Sequence, residues 1–104
     1  MTSADVLAGM PGEALIRKGL ADAKAGRRTV EACLAVIARP RLRRAGIYPI
    51  ESTITEPSEP ELELYRLLRE QGGDSYSRYN ALLRELASFE AALDARMRRW
   101  QAAR

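Results

Sequence analysis

Eight apolar side chains between Asp74 and Arg104 recur at helical spacing: Tyr79, Leu82, Leu83, Leu86, Phe89, Leu93, Met97 and Trp100. Tyr79, Leu86, Leu93 and Trp100 share one heptad position, and Leu82 and Phe89 follow the first two of these by three residues. Steps of three and four place side chains on one face of an α-helix. The pattern predicts one long amphipathic helix whose apolar seam must be covered.

The segment just before it supplies the first cover. Ser58-Glu59-Pro60-Glu61 has the capping-box spacing, Ser followed three residues later by Glu. It predicts a helix over 59–71 with Leu62, Leu64, Tyr65, Leu67 and Leu68 as its apolar residues. Glu59, Glu61 and Glu63 suit the positive end of that helix, and their i, i+2 spacing does not converge on a metal or an acid-base pair. Gly72-Gly73 ends the helix, and Asp74 or Ser75 caps the next one, giving an antiparallel helical hairpin. At about 1.5 Å per residue the shorter arm spans roughly 18–20 Å and the longer roughly 40 Å. The short arm therefore reaches only to about Leu86. Phe89, Leu93, Met97 and Trp100 need another cover, from the N-terminal helices or from a second copy of the chain.

Upstream, residues 1–10 read as a loose start or a short turn anchored by Leu7 and Met10. Pro11-Gly12-Glu13 opens a helix over about 12–25, with Ala14, Leu15, Ile16, Leu20 and Ala23 on its apolar face. Gly19 inside it either marks a close crossing or is tolerated at about 1 kcal/mol against Ala. Gly26 ends that helix, and Thr29 caps a second one over about 30–39. Val30, Cys33, Leu34 and Ile37 make the second helix apolar over most of its circumference, so it should be central. Pro40 breaks or kinks it, and Arg41 to Ala45 form a further short turn before Gly46. From Ile47 to Pro60, prolines at 49, 57 and 60 forbid a continuous helix and predict an extended connector. The fold class that follows is all-α. Four to five helices form one domain: an N-terminal hairpin over 11–46, a connector over 47–58 and a C-terminal hairpin over 59–104.

Charge is segregated along the chain. Residues 1–50 carry nine Lys/Arg against four Asp/Glu, residues 51–74 two against seven, and residues 75–104 six against three. Such blocks are either ordinary solvated faces or surfaces that attract one another, within a chain or between copies. Arg27, Arg28, Arg39, Arg41, Arg43 and Arg44 crowd around the second helix and form a candidate phosphate-binding cluster. Segment 14–38 is helix, glycine turn, helix, which raises a DNA-reading helix-turn-helix. Against that, Arg27 stands where the motif usually wants an apolar residue, and the second helix lacks a polar reading face.

Several chemistries are closed to this composition. The chain has no histidine, which removes imidazole-based nucleophile systems and histidine zinc sites. One cysteine, Cys33, forbids an intrachain disulfide and reads as a small core residue. No glycine-rich phosphate loop is present. No catalytic, metal or cofactor-binding residues are assigned. The N-terminus lacks the pattern of a secretory signal, and no apolar run approaches a membrane span. The default expectation is cytoplasmic. The functional expectation is a non-enzymatic interaction module, a homodimer or the binder of a helical partner, with Leu86, Phe89, Leu93, Met97 and Trp100 at its interface. The alternative is a small basic nucleic-acid-binding regulator using the arginine cluster.

Overall fold

A computed structural model describes residues 6–48 and 58–102. These residues form five α-helices and no strand: α1 (Glu13–Lys24), α2 (Val30–Ile37), α3 (Arg39–Arg44), α4 (Pro60–Gln71) and α5 (Ser75–Ala102). The fold is all-α. Most of the connector, including Ile50 and Ile54, lies outside the described residues.

α1 and α2 form the tightest pair in the molecule. Gly12, in the left-handed region at φ 77°, turns the chain into α1, and Gly26 at φ 78° turns it out again. Thr29 then caps α2, its hydroxyl accepting from the Ala32 N–H at 3.1 Å. α2 is central, as its apolar circumference requires: Val30, Ala32, Cys33, Leu34, Ala35 and Val36 are all buried. It packs on α1 along one side and on α4 along another. The break before α3 falls at Ala38, two residues ahead of Pro40. Proline has no N–H to give to the Val36 carbonyl, so the ladder of α2 cannot run through it. Leu42, fully buried, anchors α3 to the core.

α4 starts one residue later than the capping-box spacing implies. Its N-cap is Glu59, and no side-chain cap bond forms there. Pro60 takes the first helical position, where a missing N–H costs nothing. That shift leaves Ser58 outside the capping position. Leu64 and Leu68 are the fully buried residues of α4. After Gly72 and Gly73, both at positive φ, Asp74 accepts the Ser77 N–H at 3.1 Å and the Ser77 hydroxyl at 2.8 Å, which starts α5.

α5 is unbroken over 28 residues, so its length is roughly 42 Å. Leu86, Phe89 and Leu93 are buried in one continuous core with α1, α2, α4 and the N-terminal turn. That turn buries Val6 as well as Leu7 and Met10. Arg96 fixes it to α5 by donating from Nη1 to the carbonyls of Val6 at 2.9 Å and Ala8 at 2.7 Å. No helix among the described residues is long and apolar enough to cross a membrane.

Candidate interaction surface

The seam of α5 divides into a covered part and an open end. Leu86, Phe89 and Leu93, expected at an interface with another molecule, are spent on the chain's own core. Their cover comes from within: Gly12, Leu15, Ile16 and Leu34 close around Leu86 and Phe89. Each burial of this kind contributes about 2 kcal/mol to the monomer, so these three side chains need no second copy. Met97 is half-buried against the same core. Trp100, one heptad beyond Leu93, has outrun the body and is 47% exposed. Of the five side chains expected at an interface, only Met97 and Trp100 are not buried in the chain's own core.

Beside that end, α3 and α5 enclose a cleft of about 370 Å³ lined by Arg41, Arg44, Asp94, Met97, Arg98 and Gln101. Residues 94, 97, 98 and 101 share one face of α5, the i, i+3, i+4, i+7 set. Arg41 forms one wall of the cleft. It donates from Nε to Asp94 at 3.0 Å and from Nη1 to Glu90 at 3.3 Å, tying α3 to α5. These carboxylates raise the Arg41 pKa, the Asp94 hydrogen bond first. Glu90 is pulled the other way: burial raises its carboxyl above the usual range, and Arg41 only partly offsets it. Arg44 and Arg98 are exposed and form no ion pair among the described residues.

A second open area lies on the outer face of the α4–α5 hairpin. Leu62 is 51% exposed and Tyr76 68%. Leu62, Tyr65, Arg66, Arg69 and Glu70 line a groove there of about 370 Å³. Tyr65 and Tyr79 meet edge to face at 5.5 Å, so Tyr79 serves packing while Tyr76 does not. Glu63 is engaged by Arg66 at 2.8 Å, whereas Glu59 and Glu61 are exposed and form no ion pair among the described residues.

The arginine cluster of the sequence does not assemble into one face. Arg27 pairs with the buried Asp22 at 2.9 Å, and Arg41 turns toward α5. Arg43 lies over the Tyr48 ring at 5.4 Å. Arg39 is half-buried, while Arg28 and Arg44 are exposed at opposite ends of α2 and α3. A groove-reading helix must present one side to bases, and α2 is enclosed on nearly every side.

Cys33 is buried, and burial pushes its thiol up to about 11, with Glu63 adding to the shift and Arg28 opposing it. The cleft next to it measures about 20 Å³, room for little more than one water. Among the described residues no three Cys, Asp or Glu side chains gather as metal ligands. Comparison with protein-family models, with curated proteins and with solved structures finds no match for this chain.

Proposed function

We propose that this chain is a non-enzymatic protein-protein interaction module that self-associates through the C-terminal end of α5. The observation that carries this is Trp100. It is the chain's single tryptophan and continues a seam in which Leu86, Phe89 and Leu93 are buried, yet stands half in water. A large aromatic on a rigid helix, flanked by arginines, is the residue type that most often anchors a protein contact. Met97 extends the apolar surface back toward the core, and Arg98 and Gln101 give it a polar rim. The composition supports a binding rather than a catalytic role, since no imidazole exists and the one thiol is buried and protonated at neutral pH. Nucleic-acid binding draws less support, because Arg27 and Arg41 are already neutralised by carboxylates of the same chain.

Size-exclusion chromatography with light scattering tests the proposal. The wild type should run above its monomer mass of 11.6 kDa at submillimolar concentration. Trp100→Asp should run as a monomer with an unchanged melting temperature, because the side chain it replaces contributes little to the chain's own core. A wild type that stays monomeric at every concentration overturns the proposal.

A further inference from the structure

Contact through the end of α5 brings together charges that the chain does not cancel by itself. Trp100 shares a helix face with Arg96, four residues back, and follows Arg99 directly. Arg96 donates to the carbonyls of Val6 and Ala8, which are neutral and leave its charge in place. The Glu13 carboxylate feels Arg96 but is bonded by Arg17 at 2.7 Å. Arg99 is exposed and forms no ion pair among the described residues. No Asp or Glu follows Asp94 in the sequence, and Asp94 is bonded by Arg41 at 3.0 Å. The carbonyl end of the helix supplies roughly half a negative elementary charge, against the full charges of Arg96 and Arg99. Arg98 stands apart from this group, because it turns to the α3–α5 cleft on the other side of the helix.

Resting on the self-association just proposed, we infer that a free multivalent oxyanion, with the chemistry of inorganic phosphate, binds between two α5 ends and tightens the pair. Copies that meet through the same surface are related by a two-fold axis, so Arg96 and Arg99 of one copy come close to the same arginines of the other. Unrelieved, these like charges oppose the contact that Trp100 makes. The planar guanidinium offers paired N–H donors that match two oxygens of a phosphate, and a phosphate has oxygens enough for an arginine from each copy. Chloride screens the repulsion without bridging it. The oxyanion does both.

Sedimentation equilibrium of the wild type tests this. Raising NaCl from about 10 mM to about 100 mM shortens the reach of charge from roughly 30 Å to roughly 10 Å, and the dissociation constant should fall severalfold. Millimolar inorganic phosphate at matched ionic strength should lower it about tenfold below the chloride value. Arg99→Gln removes an exposed charge that has no partner to lose, and circular dichroism establishes that the variant is folded. At low NaCl it should associate more tightly than the wild type, and phosphate should add nothing. A wild type that associates equally in phosphate and chloride, or that added NaCl weakens, overturns the bridging oxyanion while self-association stands. A phosphate gain that survives in Arg99→Gln overturns it as well. A wild type that is monomeric in both salts at every concentration removes it together with the self-association on which it rests.

Discussion

Gly19 of α1 lies against the backbone of Glu31 in α2 so closely that a methyl group at position 19 would overlap the Glu31 carbonyl oxygen. It would also stand 2.9 Å from the carbonyl carbon and 3.1 Å from the Ala35 methyl. The backbone at Glu31 is part of a helix and cannot swing aside as a flexible side chain would. The two helices touch main chain to main chain at this point, and only the missing Cβ permits it. Gly19→Ala gains about 1 kcal/mol in helix propensity and loses about 1–3 kcal/mol in forced separation of the helices. The expected result is a net loss near 1 kcal/mol, seen as a lower urea midpoint at unchanged slope. A more stable Gly19→Ala would contradict this account of the crossing.

A second joint between the same helices is electrostatic. The Asp22 carboxylate is buried and accepts from Lys18 at 2.6 Å, Thr29 at 2.7 Å and Arg27 at 2.9 Å. The Lys18 and Thr29 bonds, then Arg27, hold its carboxyl well below the usual range against the opposing effect of burial. Asp22 therefore contributes stability that is full above its unfolded pKa of about 3.9 and is lost as pH falls toward the folded value. Glu13, bonded by Arg17 and the Gly9 N–H, and Asp74, bonded by Ser77, act in the same direction. Thermal unfolding measured from pH 7 down to pH 2 should show a declining melting temperature below about pH 4. In Asp22→Asn the melting temperature at neutral pH should be several degrees lower and the acid decline shallower. An unchanged profile would show that the triple contact adds nothing.

Glu90 should behave in the opposite sense. Its folded pKa is raised, chiefly by burial, so its contribution is full below the unfolded pKa and is lost as pH rises through the folded one. At neutral pH its carboxylate opposes folding, and Glu90→Gln should match or exceed the wild type in melting temperature. Arg41→Gln should cost about 1 kcal/mol or less, as half-exposed pairs do, because it leaves Glu90 and Asp94 without their cation. A strongly destabilised Glu90→Gln would mean that the Arg41 bond outweighs the cost of burying the charge.

Cys33 offers a probe of the α2 core. With its sulfur buried and its thiol pushed up to about 11, almost no thiolate is present at pH 8. A thiol reagent should label the native chain only as fast as the core opens, and label it at once in denaturant. Immediate stoichiometric labelling without denaturant would place Cys33 on the surface.

The elements of this fold were written in local signals. Glycines at 12, 26, 72 and 73, Thr29 at a helix start and prolines at 40 and 60 mark where helices begin and end. The period of the α5 seam declares which face is apolar. What period cannot declare is which body covers it, since the same spacing serves a core and an interface. Phe89 and Leu93 are covered by elements far away in the chain, and the Arg96 contact with Val6 spans 90 positions. Nothing local to Arg96 distinguishes that role from a cation at a helix C-terminus. The separation of the arginines near α2 was illegible for a related reason. Arg27 and Arg41 are near in sequence, but the carboxylate partner of Arg27, Asp22, lies on α1 and those of Arg41, Glu90 and Asp94, lie on α5. Gly19 admitted two readings until the position of Glu31 was known.

Because Trp100 is the chain's single tryptophan, its emission reports the proposed interface with no competing signal. The decisive measurement is the emission maximum of the wild type followed on dilution, alongside Trp100 quenching by iodide. At high concentration the emission should be blue-shifted and protected, and it should move red and become quenchable as the protein is diluted and its copies separate. Emission that is red and fully quenchable at every concentration would contradict it.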